Sequence, residues 1–338
     1  MFYNWNERRL RAAWRLLIQG LLFLIFLALS TAALSLAYFV ILGVTGKIST
    51  QVSAMRVLQG LSGSLIPELA GQIFTLVCMT ISLWIAARLL DHRPFRDFGF
   101  HLKPAWWRDL GFGLALGALL MAVIFGIEWA AGWVRITAFL FTPTGLFPIN
   151  ILIAAVGYTC VGIYEELFSR GYQLRNLAEG LHLPGINPSA AVLLAYLVSS
   201  MIFGSLHAAN PNATLISTLN LMLAGLFLGL GFILTGELAI SIGLHIAWNF
   251  FEGNVFGFPV SGSLSSVSIL AIQQGGPQVW TGGAFGPEAG LVGLLALALG
   301  SLLIVLWVRS TRGKAKAQSR LAEYLRPNSY SVHGPMRV

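Results

Sequence analysis

Acidic residues are scarce in this chain, with thirteen Asp and Glu among 338 residues, and only 10% of all residues are charged. A soluble domain carries about 25% charged residues, so this composition excludes an ordinary soluble protein. Hydrophobic residues make up 56% of the sequence instead, and the mean hydropathy is +0.76. The chain is therefore predicted to be a polytopic membrane protein, in which any acid inside an apolar run needs a specific reason.

Cysteine is equally scarce. Cys78 and Cys160 each lie in an apolar run, which gives neither a disulfide framework nor a CxxC metal motif. We expect two small buried side chains. The net charge of +8 and the pI near 9.9 come from basic residues that cluster between apolar runs. That distribution is typical of the positive-inside rule, and it predicts no nucleic-acid partner.

Apolar runs long enough to cross a bilayer, about 20 residues, recur along the sequence. Basic residues precede the first run, separate the second from the third, and follow the fourth and the eighth. The positive-inside rule then predicts a multi-pass protein of the cell membrane with both termini in the cytoplasm. The runs predict an all-α bundle of about eight transmembrane helices, at about residues 16–44, 65–89, 110–134, 147–170, 190–208, 214–234, 238–258 and 289–308.

Two adjacent glutamates interrupt the fourth apolar run. Glu166 and Arg170 are four residues apart, so on a helix they share a face and can pair. The Glu165 side chain points about 100° away from that of Glu166 around the helix axis. Pairing lowers the free energy needed to bury one carboxylate and leaves Glu165 available for proton chemistry. The alternative is a buried ion pair that only fixes helix packing.

Further polar residues lie in two other apolar runs. His207 follows Phe203 by four residues at the end of the fifth run, and His245 precedes Asn249 by four residues in the seventh. A single histidine on an apolar helix is more typical of packing than of catalysis. Polar side chains within spans, however, normally face the bundle interior or a wet cavity. We expect Glu165 and these residues to converge in one cavity that can activate water and stabilise an oxyanion.

The ordered patterns EExxxR, FxxxH and HxxxN resemble the CPBP family of CAAX proteases and bacteriocin-processing enzymes. The matching segments are EELFSRGYQL, FGSLHAANP and LHIAWNF, and the resemblance covers roughly residues 107–251. It implies a CAAX-protease-like membrane bundle and an intramembrane endopeptidase that hydrolyses peptide bonds with an activated water. The implied partners are the lipid bilayer and a membrane-associated or prenylated protein or peptide substrate.

The resemblance also implies roles for individual residues. Glu165 would be the general base, and His207 would help it hold the attacking water. His245 and Asn249 would stabilise the tetrahedral oxyanion. The supporting residues would be Glu166, Arg170 and Phe203.

Two questions about cofactors stay open at this point. The resemblance favours a glutamate-activated water without metal, yet Glu165, His207 and His245 could hold Zn²⁺, although HExxH is absent from the sequence. Alternatively, His207 and His245 could be the axial ligands of a haem. A non-catalytic scaffold, transporter or bacteriocin-immunity protein is a further alternative.

With these expectations the chain divides into four parts. Residues 1–106 form two N-terminal spans and a basic cytoplasmic loop, and residues 107–256 form the catalytic membrane core. Residues 257–309 combine an external loop with the last span. The Gly- and Ser-rich part of that loop, residues 257–286, is expected to be flexible. Residues 310–338 form a basic, disordered cytoplasmic tail.

Overall fold

A computed structural model describes residues 2–44 and 65–324 of the chain. Two antiparallel two-stranded sheets, β1 with β2 and β3 with β4, accompany a helical bundle. The strands are β1 Tyr3–Asn4, β2 Arg9–Leu10, β3 Val134–Phe141 and β4 Ser268–Gln274. The α-helices are α1 Ala12–Val44, α2 Leu65–Leu89, α3 Pro104–Ala130, α4 Phe147–Glu166, α5 Arg175–Leu181, α6 Pro188–Leu206, α7 Leu215–Thr235, α8 Ala239–Phe250, α9 Gln278–Thr281 and α10 Leu291–Arg312. Two π-helical segments, Leu167–Leu174 and Phe251–Val255, follow α4 and α8.

Local sequence signals explain where the central helices begin and end. Asn187 caps α6 by accepting a 2.9 Å hydrogen bond from a first-turn N–H, and Pro188 occupies the first helical position, where its missing N–H is harmless. Thr214 and Ser217 form a capping box at the start of α7. Gly236, with φ of 74°, ends that helix, because glycine adopts the left-handed conformation without strain.

Within the described residues, seven helices are long and apolar enough to cross a membrane, which confirms a polytopic all-α membrane bundle. The eighth predicted span, at residues 238–258, is different. It consists of α8, which has only 12 residues, and the short π segment after it. At 1.5 Å per residue, α8 is about 18 Å long, against about 30 Å of hydrocarbon.

Helix α8 is buried in the bundle because it packs backbone to backbone against α3. A Cβ atom on Gly243 would lie 2.4 Å from the Leu110 carbonyl oxygen, and one on Gly113 would lie 2.4 Å from the Ile240 carbonyl oxygen. Small residues permit this kind of close approach in membrane bundles. Nearly every residue of α8 is consequently buried.

The fourth predicted span does not end near Arg170. Helix α4, the first π segment and α5 form one continuous helix, Phe147–Leu181, of 35 residues. At 1.5 Å per residue it is about 50 Å long. Its end coincides with the sequence HLPG, residues 182–185, where proline excludes the helical conformation from the residue before it. Glu165 therefore lies near the middle of a long helix and not at its end.

Residues 257–286 were expected to be a flexible loop, and the structure corrects that expectation. The segment contains β4, which pairs with β3 from Val134 opposite Gln274 to Phe141 opposite Ser268. Backbone pairing gives this stretch the partners that a free loop lacks. Gln274 also donates a 2.8 Å hydrogen bond to Glu128, whose side chain is fully buried.

The C-terminal segment is ordered further than the sequence predicts. The backbone N–H of Gln318 donates to the Ile233 carbonyl at 2.8 Å, and its side chain donates to the Leu234 carbonyl at 2.9 Å. Leu321 and Ala322 are buried. The last carbonyls of α7 need donors from outside the helix, and residues 313–324 supply them. The rest of the predicted tail, residues 325–338, lies outside the described residues.

A buried group of charges, here called the arginine cluster, joins the N-terminal segment to α5 and to the loop after α2. It consists of Arg9, Arg15, Asp91, Arg93 and Glu179, each with a side chain at most 4% exposed. Arg15 is 2.5 Å from Asp91, and Glu179 lies 2.8 Å from Arg9 and 3.0 Å from Arg15. Arg93 pairs with Glu179 as well.

The acids of the arginine cluster hold Arg93 in its charged form. Burial by itself would lower the pKa of Arg93, but the nearby carboxylates of Glu179 and Asp91 outweigh burial and raise that pKa above its usual value. The Tyr324 ring covers the cluster, with the Arg9 guanidinium carbon 3.5 Å from the ring centroid. Such a contact is a stabilising cation–π interaction. The first and last described segments thus meet at one place.

Candidate active site

The adjacent acids of α4, Glu165 and Glu166, have different surroundings, as the helical spacing predicts. Arg170 donates from Nη1 to Glu166 Oε1 at 2.8 Å and from Nη2 to the Gly225 carbonyl at 2.8 Å. Its guanidinium carbon lies 4.5 Å from the centroid of the Phe203 ring. Glu166 and Arg170 are both buried, whereas the Glu165 side chain is 24% exposed. One carboxylate is neutralised within the bundle, and the other is accessible.

His245 lies between the two glutamates. Its Nδ1 donates a 2.8 Å hydrogen bond to Glu166 Oε1, since a carboxylate oxygen can only accept. Nε2 is 3.8 Å from Glu165 Oε2, which is too long for a direct hydrogen bond and suits a contact through one water. Glu166 thus orients the imidazole and leaves Nε2 as the nitrogen that faces Glu165.

His207 is the residue that ends α6. Its Nδ1 donates to the Phe203 carbonyl at 2.8 Å, because a carbonyl oxygen accepts only. In the neutral ring Nε2 then carries the lone pair. The Phe203 ring, whose centroid is 4.8 Å from that of His207 and 6.2 Å from that of His245, lies against both histidines.

A cavity of about 290 Å³ is lined by Glu165, His207, His245, Asn249 and Phe203 together with residues of neighbouring elements. The structure thus brings together four polar residues from three separate segments of the chain. None of these residues is left on a different face of the bundle. Their chemical roles stay predictions.

Eight strictly alternating spans would place His207 nearer the outside than Glu165 and His245. Two features of the structure explain why all three residues nevertheless line one cavity. Glu165 lies near the middle of the continuous helix Phe147–Leu181, deeper than a span ending near Arg170 would put it. His245 lies within the short α8, which is almost entirely buried. Both residues can therefore reach the level at which α6 ends.

Both π-helical segments begin beside the site. The first starts at Leu167, immediately after Glu166, and the second starts at Phe251, two residues after Asn249. A π-helical turn inserts extra residues into a helix and occurs frequently at functional sites. Arg170 lies inside the first segment and donates to Glu166 at 2.8 Å.

Sequence patterns did not identify every residue of the cavity. The α2 residues Glu68 and Gln72 line it, as do Tyr164, Ser261 and Glu288. Tyr164 donates to Gln72 at 3.1 Å, and this contact between α4 and α2 has no local sequence signal. Glu288 could have been found only as one of the few acids near an apolar run.

Glu288 precedes the α10 span and is a mostly buried carboxyl group. Burial raises the pKa of Glu288, while hydrogen bonds from the side chain and the backbone of Ser261 partly oppose that rise. The two donors lie 2.7 and 2.8 Å from Oε2.

The residues named for zinc can be compared with a zinc ligand set. Among residues 2–44 and 65–324, no three His, Cys, Asp or Glu side chains are grouped closely enough to hold a metal ion. Nδ1 of His245 and Nδ1 of His207 are engaged by Glu166 and Phe203, so only the Nε2 atoms remain for a ligand. As arranged, Glu165, His207 and His245 do not form a fitted zinc site.

The two cysteines, Cys78 and Cys160, are buried and form no disulfide.

The segment that contains the candidate site is similar to a known protein family. Residues 147–251 match the family of Rce1-like type II CAAX prenyl endopeptidases. This match supports the resemblance to the CPBP/CAAX-protease family over those residues. The matched range contains all seven residues named for the CAAX-protease-like site: Glu165, Glu166, Arg170, Phe203, His207, His245 and Asn249.

A curated relative is the uncharacterized protein YyaK of Bacillus subtilis (strain 168). It is 28% identical to this chain over 173 residues, which cover 50% of this chain and 54% of the relative. The matched part of this chain spans about half the length of that relative. No solved structure matches the chain.

Proposed function

We propose that this chain is an intramembrane endopeptidase of the CPBP/CAAX-protease type, which hydrolyses a peptide bond with a water activated by Glu165 and His207. The observation that carries the proposal is the single cavity onto which Glu165, His207, His245 and Asn249 open, within a segment similar to CAAX prenyl endopeptidases. The substrate is a membrane-associated protein or peptide, and a prenylated one is the first candidate. The protein resides in the cell membrane with both termini in the cytoplasm.

The first chemical step uses the free carboxylate. Glu165 accepts a proton from water, and the resulting hydroxide oxygen attacks the carbonyl carbon of the scissile bond. Nε2 of His207 orients that water, since Nδ1 is engaged by the Phe203 carbonyl. Removing one proton at the moment of attack makes the nucleophile without a free hydroxide ion in the membrane.

The second step stabilises and resolves the tetrahedral intermediate. The Asn249 amide and, in the doubly protonated ring, Nε2 of His245 donate hydrogen bonds to the oxyanion. Glu166 holds the ring from behind through Nδ1 at 2.8 Å. The proton taken up by Glu165 then passes to the leaving nitrogen as the C–N bond breaks, so one water is consumed and an acid and an amine are released.

The proposal is tested with purified protein in lipid vesicles, a farnesylated CAAX peptide and its unprenylated counterpart. Glu165→Gln keeps the shape of the side chain but removes the base, so the rate should fall by about 10²–10⁴-fold. Glu323→Gln, a change in an exposed glutamate, is the matched control and should cleave as the wild type does. Equal rates for the wild type and Glu165→Gln would overturn the proposal and favour a scaffold.

The same preparation decides the two cofactor alternatives. A bis-histidine haem would give purified protein a Soret absorbance band, and it would leave Glu165, Glu166 and Asn249 without a role. A zinc enzyme would lose activity on treatment with a chelator and regain it with Zn²⁺. In our proposal the protein is colourless and cleavage is insensitive to the chelator.

A further inference from the structure

Glu288 lies outside the segment that matches the CAAX prenyl endopeptidases, residues 147–251, yet it lines the same cavity as Glu165, His207 and His245. It is 9% exposed. Carboxylates are rarely buried without a specific partner. The fold has therefore brought a late residue of the chain to the candidate active site, and its contacts indicate what it does there.

One oxygen of Glu288 holds a single residue by two hydrogen bonds. Oε2 accepts the backbone N–H of Ser261 at 2.8 Å and the hydroxyl of Ser261 at 2.7 Å. Ser261 has φ of 46°, a left-handed conformation that a non-glycine residue adopts only when its surroundings enforce it. The paired hydrogen bonds from Ser261 to Glu288 supply that constraint.

The Ser261 loop, residues 259–263, is tied in turn to the His207 turn, residues 207–212. Asn210 donates from Nδ2 to the Ser261 carbonyl at 3.0 Å, and Asn212 donates from Nδ2 to the Gly262 carbonyl at 3.2 Å. A Cβ atom on Gly262 would lie 1.8 Å from the Pro211 carbonyl oxygen, so the two backbones are in direct contact. The Ser261 loop can move only if the His207 turn moves with it.

We propose that Glu288 is a positioning residue of the active site, which fixes the Ser261 loop and thereby holds the His207 turn in place. The inference rests on the proposed function and adds a residue to it. In this arrangement Glu288 does not touch the reacting atoms. It acts through Ser261 and Asn210, so that His207 keeps its place in the cavity that Glu165 also lines when substrate and water enter.

Two substitutions separate positioning from direct chemistry. In Glu288→Gln the amide oxygen can still accept both hydrogen bonds from Ser261, so we expect kcat to stay close to the wild-type value. In Glu288→Ala both hydrogen bonds are lost, and kcat should fall by about 10–100-fold, as with other residues that orient a catalytic group. KM should change little, since substrate contacts remain. Ser261→Ala loses only the hydrogen bond from the hydroxyl, so its kcat should lie between those of the two Glu288 variants.

Backbone amide hydrogen exchange supplies a measurement that does not depend on peptidase activity. Glu288→Ala should accelerate amide exchange in the His207 turn and the Ser261 loop, and Glu288→Gln should leave the exchange rates as in the wild type. The substitution Glu323→Ala, at an exposed site, is the control and should alter neither exchange nor kcat. A thermal unfolding midpoint for each variant shows that the protein is folded.

Three outcomes are decisive. Unchanged exchange in Glu288→Ala overturns the inference. A Glu288→Gln variant as slow as Glu288→Ala, with wild-type exchange, overturns it too, since the carboxyl would then act on the substrate itself. Faster exchange in Glu288→Ala, together with equal cleavage by the wild type and Glu165→Gln, supports the link between Glu288 and the His207 turn and overturns the protease proposal instead.

Discussion

At the scale of single residues, Glu166 Oε1 is the atom that connects the site to the bundle. It accepts hydrogen bonds from Arg170 on one side and His245 on the other, both at 2.8 Å. Arg170 extends the connection to the Gly225 carbonyl on α7. One carboxylate oxygen therefore fixes the relative positions of α4, α7 and α8. In the proposed mechanism Glu165 is the base at the cavity surface, while Glu166 holds the surrounding helices in position.

Arg170→Lys tests this connection. Lysine keeps the positive charge but lacks the planar fork that reaches Glu166 and Gly225 at the same time. A buried partner left without its hydrogen bond costs about 1–3 kcal/mol, so the free energy of unfolding in detergent should fall by about that amount, and cleavage should slow. Arg309→Lys, at an exposed arginine of α10, should change neither. An Arg170→Lys protein as stable as the wild type would contradict the connecting role.

At the scale of helices, the contact between α3 and α8 determines where His245 and Asn249 lie. Gly113 and Gly117 of α3 face the backbone of α8, and a Cβ on Gly117 would lie 2.8 Å from the Leu244 carbonyl oxygen. The contact has no room for a methyl group. Because α8 is short and enclosed, it cannot adjust by tilting into lipid as a spanning helix can.

Gly113→Ala should therefore push α8 out of position. We expect the free energy of unfolding to fall by about 1–3 kcal/mol, the usual cost of overpacking, and cleavage to slow because His245 moves. Gly111→Ala is the matched control two residues earlier on the same helix, where an added Cβ meets no atom within 4 Å. That variant should be as stable as the wild type or slightly more stable. Equal stability of the two alanine variants would refute the close contact.

These helices also show how far the sequence alone could go. Hydropathy predicted the helical bundle, and four-residue spacing predicted the pair Glu166–Arg170, because both signals are local. Hydropathy could not distinguish α8 from a true span, since an enclosed helix and a lipid-facing helix are equally apolar. It also ended the fourth span near Arg170, because Arg170, Arg175 and Glu179 resemble a solvated loop in sequence, although none of these side chains is more than 15% exposed. The contacts of Glu288 arise only from the tertiary fold.

At the scale of the whole molecule, the arginine cluster joins segments that are far apart in sequence. Glu179 on α5 binds Arg9 and Arg15 from the N-terminal segment and Arg93 from the loop after α2. Buried charges of one sign are tolerated only while their partners remain. The arginine cluster thus connects the first of the four predicted parts of the chain with the core. The four-part division itself stays a prediction.

Glu179→Gln should destabilise the protein strongly. Removing the shared negative charge leaves buried arginines uncompensated, which typically costs about 3–5 kcal/mol, measured as the loss of unfolding free energy in detergent. Glu7→Gln is the control, because Glu7 also contacts Arg9, at 2.7 Å, but its side chain is 33% exposed. Because water reaches the Glu7 carboxylate, its loss should cost about 0–1 kcal/mol, as for surface ion pairs. Similar losses for both variants would show that the cluster acts as a surface network.

The stacking of Tyr324 on Arg9 has a consequence for biosynthesis. Arg9 is translated 315 residues before Tyr324, yet their side chains meet, with 3.5 Å between the guanidinium carbon and the ring centroid. The helices can enter the bilayer one after another as they are translated. The Tyr324 ring, however, can cover Arg9 only after residue 324 has been translated, so in a nascent chain the arginines of the cluster lack this cover while the intervening residues are synthesised.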